Sequence, residues 1–249
     1  MTITQVQEWP VAILTAAATG PATTAGNLLL ARAVHRAGTS GLPATITDNA
    51  GNTWQMIGQA IGGGSGDVYM WCCPDADPIT SATVTIDGDP AIGRTLFVTE
   101  WSGVAATNAL LDATAQDNPS TLSPPPALVD VTVPGALVLG TLGATVSNRV
   151  FTLASDGWTP GVEHRAQQTT LIAAARISEP GTYGPSWQIT SGAASTSGAI
   201  TAAFRPADAT EPDPDPPTPA VVRGDGTPMQ AHLLTPAGLV PVRAHQEAD

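Results

Sequence analysis

The chain has 249 residues, a formal net charge of -12 and nine cationic side chains, all of them arginine; without clustered Lys and Arg there is nothing to grip a phosphate backbone, and nucleic acid is not an expected partner. Glycine and proline number 25 and 23 while charged residues make only 12%, a turn-rich composition that suits strands and loops and argues against solvated helices. A chain of this length buries enough surface to hold its core without disulfide or metal. Cys72 and Cys73 are neighbours that a strand would send to opposite faces, so they are expected as reduced thiols.

No apolar stretch approaches the ~18 residues of a membrane span. Val11 to Ala18 is preceded by Glu8 and Pro10 with no basic flank, so neither a span nor an export signal is expected and synthesis is placed in the cytoplasm. Short Thr/Val/Ile/Leu runs then alternate with turn clusters, and the spacing predicts strands over Gln5 to Leu14, Asn27 to Val34, Ala44 to Asp48, Thr53 to Ile57, Val68 to Cys72, Ala82 to Ile86 and Leu96 to Trp101. Asp48-Asn49-Ala50-Gly51-Asn52 is a tight-turn signal, with Gly51 or Asn52 suited to positive φ, and predicts a hairpin of Ala44 to Ile57.

The second half repeats the order of the first. Gly26-Asn27-Leu28-Leu29-Leu30 returns as Gly135-Ala136-Leu137-Val138-Leu139, and Gly51-Asn52-Thr53-Trp54 as Ser155-Asp156-Gly157-Trp158. Val68 to Cys72 corresponds to Thr170 to Ala174, Ala82 to Ile86 to Pro185 to Ile189, and Leu96 to Trp101 to Ile200 to Arg205. Val104 to Pro126, ending in Pro124-Pro125-Pro126, is expected to be a loop crossing between the halves. With few aromatics, neither half looks richly supplied with core on its own. The expected fold is therefore all-β: a jelly-roll-like two-sheet sandwich built from two similar halves and spanning 1–205, with two tandem small sandwiches as the alternative.

Residues 206–220 form a Pro/Asp-rich linker; 206–219 alone hold six prolines, four acids and no base. Fixed φ and like-charge repulsion predict an extended segment, roughly 40 Å at about 3.1 Å per residue. Residues 221–249 carry two short apolar runs, Gln230 to Leu234 and Leu239 to Arg243, around Thr235-Pro236-Ala237-Gly238, which predicts a β-hairpin module. A lone hairpin is marginal in water, so Leu233, Leu234, Leu239, Val240 and Val242 are the expected anchoring or oligomerisation residues, with a homotrimer favoured.

Catalytic and metal-binding patterns are sparse. No Gly-x-Ser-x-Gly elbow occurs. His35 near a strand end, His164 in a polar loop, and His232 and His245 in the C-terminal segment lack metal-site spacing, and no cofactor or metal is expected. Asp75-Ala76-Asp77 and Asp87-Gly88-Asp89 lack the rest of a calcium loop and suit Asx turns; Arg223-Gly224-Asp225 sits in an ordinary turn. Glu100, an acid within an apolar strand, is the residue on which an alternative reading as a glycan hydrolase would rest, although such chemistry needs a second acid. Trp54, Trp71, Trp101 and Trp187 fall on predicted strands and are expected in the core, whereas Trp158, beside Asp156-Gly157 in a turn, is the candidate exposed ring for glycan contact, with Asp156 beside it.

Asp48-Asn49-Ala50-Gly51-Asn52-Thr53-Trp54, then Thr83-Val84-Thr85-Ile86, then Val98-Thr99-Glu100-Trp101-Ser102-Gly103-Val104 together resemble a β-sandwich domain common in tailed bacteriophages, and Gly157-Trp158-Thr159 and Ala203-Phe204 fit its second half. Gly224-Asp225-Gly226-Thr227-Pro228 to Val240-Pro241-Val242 is similar to short C-terminal modules of minor tail proteins from phages of actinobacteria, and the missing lysine is compatible with a GC-rich source. The resemblance implies a non-enzymatic virion component, a minor tail or fibre-associated protein that meets other virion proteins and host cell-wall glycan. A capsid decoration protein is the alternative location. It supplies no catalytic residues.

Overall fold

The computed structural model describes residues 2–13, 16–36, 41–61, 66–86, 94–145, 149–166, 169–209, 232–235 and 238–241, and every regular element among them is a β-strand. The first half contains β1 (Thr4–Glu8), β2 (Ala12–Ile13), β3 (Ala17–Thr19), β4 (Asn27–Arg36), β5 (Ala44–Asp48), β6 (Gln55–Ile61), β7 (Gly66–Ala76), β8 (Ser81–Ile86) and β9 (Arg94–Ser102). A large antiparallel sheet runs β1-β9-β4-β7-β6, with β2 also on β9, and a small sheet runs β3-β8-β5.

The second half contains β10 (Leu110–Thr121), β11 (Val129–Val131), β12 (Ala136–Ala144), β13 (Val150–Leu153), β14 (Thr159–Ala166), β15 (Thr169–Ser178), β16 (Gly181–Tyr183), β17 (Trp187–Ser191) and β18 (Ser195–Phe204). Its large sheet, β10-β18-β12-β15-β14, reproduces the order of the first, and the pairs β11-β16 and β13-β17 take the place of the small sheet. The repeat read from sequence is thus a repeat of topology: β4 matches β12, β7 matches β15, β8 matches β17 and β9 matches β18. Gly26 and Gly135, which lead into the two equivalent central strands, share positive φ values of 82° and 73°, a conformation glycine adopts without strain.

The two large sheets pack face to face, so the all-β sandwich of two similar halves is the architecture of the molecule. Leu28, Leu30 and Val34 of β4 and Met70 of β7 meet Leu137 and Leu139 of β12 and Ile200 and Phe204 of β18 in one continuous core. Two further layers go beyond the single two-sheet sandwich expected. Leu29, Ala31 and Ala33 point the other way from β4 and pack with Ile46 and Val84 of the small sheet. In the second half, Val138, Leu142 and Ala203 pack likewise with Phe151, Trp187 and Ile189.

Each half is therefore a small sandwich with its own core, although neither half looked richly supplied with one from sequence, and jelly-roll order lies within the first half as β1-β9-β4-β7 against β3-β8-β5. The reason is legible in β4 and β12. Both are covered on both faces, which requires continuous apolar runs in place of alternation, and Leu28-Leu29-Leu30-Ala31 and Ala136-Leu137-Val138-Leu139 are such runs. The adjacent cysteines fit the same geometry, with Cys72 in the core between halves, Cys73 in the first half's own core, and both thiols free.

Several boundaries differ from expectation, beginning with Gln5 to Leu14, which holds two strands, β1 and β2, with Trp9 to Val11 between them. Ala44 to Ile57 is not a hairpin, because β5 pairs with β8 and β6 with β7, and the turn between them is a corner that carries the chain from one sheet to the other. Val104 to Pro126 is not simply a loop, since β10 pairs with β18 from Leu110 to Thr121 as an edge strand. The linker begins later than residue 206: Val104 bridges to Pro206, Ala207 N–H donates to Gly103 O at 2.8 Å, and Ala209 packs on the second half's core.

Residues Met1–Ala209 form one compact unit and Thr210–Asp249 a second. In the second, β19 (His232–Thr235) and β20 (Gly238–Pro241) pair antiparallel, with Leu233 opposite Val240 and Leu234 opposite Leu239. The hairpin expected there is present. Val242, Arg223 to Asp225, His245 and Asp87 to Asp89 lie outside the described residues.

Candidate functional site

Two of the acids singled out from sequence, Asp48 and Glu100, hold the fold in place through their carboxylates. Asp48 organises the corner after β5: Oδ1 accepts from Ala50 N–H at 2.9 Å, Gly51 N–H at 2.7 Å and Asn52 N–H at 3.2 Å, while Oδ2 accepts from Asn52 Nδ2 at 3.0 Å and Trp54 Nε1 at 2.7 Å. Gly51 takes the positive φ, at 81°. Burial raises the Asp48 carboxyl, but the donors from Trp54, Asn52 and Ala50 outweigh it and leave its pKa below the ordinary 3.8. Asn52 continues the lock, accepting from Asp77 N–H at 2.8 Å and donating to Asp77 O at 3.0 Å. Asp75 carries a positive φ of 52° at the end of β7, but the N–H two residues on, that of Asp77, donates to Asn52 and not to Asp75. Among the described residues no three His, Cys, Asp or Glu side chains group to hold a metal ion.

Glu100 is buried on β9 with its carboxylate occupied. Oε1 accepts from Thr24 N–H at 2.8 Å and Asn27 Nδ2 at 2.5 Å, and Oε2 accepts from Gln7 Nε2 at 2.5 Å. It ties β1, the chain entering β4 and β9 together, which is a structural task for a buried acid.

Trp71, Trp101 and Trp187 are in the core as expected, and Trp54 is half-buried against it. Trp158 is not the exposed ring that its turn setting suggested. It is 9% exposed and belongs to the core of the second half together with residues of β12, β15 and β17, the turn at Asp156-Gly157 carrying the indole inward; Asp156 alone stays exposed. His164 lies on β14, not in a polar loop; burial lowers its pKa, and among the described residues Nε2 has no hydrogen-bond partner. His35 is buried on β4.

The feature missed from sequence is a cavity of about 170 Å³ where one flank of the inter-half core opens. Gln5 and Glu8 of β1, Arg32 of β4, Thr99 and Trp101 of β9 and Leu139 of β12 line it, and Thr159 to Gly161 and Ala173 to Ile177 supply the wall from β14 and β15. Arg32 shares the inward face of β4 with Leu28, Leu30 and Val34, and burial lowers its pKa to about 10, against the opposing attraction of Glu8. The guanidinium thus stays charged at neutral pH. Glu8 is solvent-accessible at the mouth; partial burial raises its pKa above the ordinary 4.5, outweighing Arg32 and a 3.5 Å hydrogen bond from Gln5 Nε2. Trp101 Nε1 donates to Thr99 Oγ1 at 3.1 Å. The signal available in sequence was Arg32 itself, a cation within the apolar run Leu28 to Val34.

No protein-family model matches the chain, and no curated protein or solved structure matches it.

Proposed function

We propose that the chain is a structural component of a phage particle, a minor tail or fibre-associated protein whose duplicated sandwich is displayed outward and whose C-terminal hairpin anchors or trimerises it. The observation that carries this reading is the fusion of two sandwich halves through one shared core, ending at Ala209, with a Pro/Asp-rich segment and a separate hairpin unit after it. A stiff acidic spacer suits display at a distance. The motif resemblance to tailed-phage sandwich domains points the same way. Capsid decoration remains the alternative location.

Host-surface contact is the role of the displayed body in this proposal, and a glycan fits the cavity's mixture of indole, amide, hydroxyl and charge better than the buried Trp158. A hydrolase is less well supported, since both carboxylate oxygens of Glu100 accept hydrogen bonds within the fold and, among the described residues, Glu8 is the single carboxylate lining the cavity, where glycoside hydrolysis uses two. The test is truncation after Thr210. The shortened chain is expected to fold with an unchanged melting temperature and to be missing from purified particles; full incorporation would refute anchoring by the C-terminal unit.

A further inference from the structure

Arg32 brings a guanidinium's fork of N–H donors into a position that is 2% exposed, where the fold supplies little to receive them. Among the described residues its one hydrogen bond runs from Nη1 to Thr99 Oγ1 at 3.4 Å, Nε has no acceptor, and the guanidinium carbon stands 5.0 Å from the centre of the Phe97 ring. Buried cations in proteins are ordinarily paired and hydrogen-bonded, because an uncompensated one is costly. Glu8 attracts Arg32 through space but sits at the solvent-accessible mouth. Nε is closed off from solvent, so it is the Nη end of the guanidinium that a ligand in the cavity whose wall Arg32 forms would meet.

We infer that this cavity binds a sugar acid, a hydroxylated ring carrying one carboxylate, with the carboxylate paired to Arg32. The planar guanidinium fork matches a carboxylate in two-point geometry. Gln5 and Thr99 offer hydrogen bonds to hydroxyls, and Glu8 accepts from hydroxyls while repelling a second carboxylate, which selects a monoanion. Trp101 and Leu139 give an apolar wall for the C–H face of a ring. The size agrees: a cavity of ~150 Å³ holds benzene, and this one, at about 170 Å³, opens to solvent on one side. The inference rests on the geometry of the cavity and does not depend on the particle assignment, so either can fail without the other.

The experiment is isothermal titration of the full chain with sodium glucuronate, with glucose as the uncharged counterpart, and with a glycan ending in glucuronate to separate a free ligand from a polymer-linked one. Glucuronate, free or glycan-linked, is expected to bind, glucose about tenfold more weakly or not at all, and Arg32→Gln to lose roughly ten- to a hundredfold in affinity. Should Arg32→Gln fail to fold, Ala175→Leu decides: it fills the cavity from the inward face of β15, leaves Arg32 in place, and is expected to abolish binding. Equal affinity for glucose and glucuronate, absence of binding by both forms of glucuronate, or unchanged binding in Ala175→Leu would overturn the inference.

Discussion

Gly143 on β12 tests whether the two halves share one core. A Cβ there would lie 2.6 Å from Val34 Cγ2 and 2.6 Å from Val68 Cγ2, both methyls belonging to the opposite half. Those neighbours are β-branched and held near one χ1 value, so Gly143→Ala must push the large sheets apart locally. Overpacking of this kind costs about 1–3 kcal/mol. Urea denaturation followed by tryptophan fluorescence and far-UV circular dichroism should show that loss in a single transition common to both probes, because the shared core joins the halves. Val68→Ala removes the Val68 methyls at 2.6 and 3.2 Å but leaves Val34 Cγ2 in place, and alone destabilises by leaving a void; combined with Gly143→Ala, it should recover part of the lost stability, with a coupling of about 1 kcal/mol or more. A change within about 0.5 kcal/mol in Gly143→Ala, or strictly additive effects in the double variant, would refute this packing of the halves.

The Asp48 corner gives a second prediction. Its folded pKa lies below the ordinary 3.8, so its stabilising contribution is complete above that value and is lost as pH falls through the folded pKa. Asp48→Asn should cost about 1–2 kcal/mol at neutral pH, because an amide cannot accept from both sets of donors, and the variant's stability deficit should shrink in acid melts. Glu100→Gln turns an amide N–H₂ toward Gln7, Asn27 or Thr24 and should lower stability by about 1–3 kcal/mol, read by the same denaturation. The thiols should be inert in the folded protein: burial pushes Cys72 up to about 12, with Cys73 adding to it, and Cys73 up to about 11, with Asp48, Asp75 and Asp77 adding to it. A disulfide reagent at mildly alkaline pH should therefore label them only after denaturant is added.

The strands of the first half were legible because their apolar runs end in turn residues with a definite task, such as Asp48 and Gly51. The pairing of those strands was not, since a tight-turn signal does not distinguish a hairpin from a corner between sheets. β10 escaped notice for a different reason. It is an edge strand of mixed polarity containing Pro119, with pairing irregular between Asn118 and Thr121, and proline is tolerated at an edge. Trp158 reads as a loop residue in sequence, yet its burial is set by contacts from β12, β15 and β17 that are distant along the chain. The cavity was hidden for the same reason, because its lining is gathered from β1, β4, β9, β12, β14 and β15, and only Arg32 stands out on its own strand.

The measurement that bears most directly on the particle assignment is peptide mass spectrometry of gradient-purified particles from the producing culture. Peptides from both the sandwich and the C-terminal hairpin should co-sediment with the particles in fixed proportion to the major structural proteins. Recovery of the chain solely in the soluble fraction would contradict the assignment.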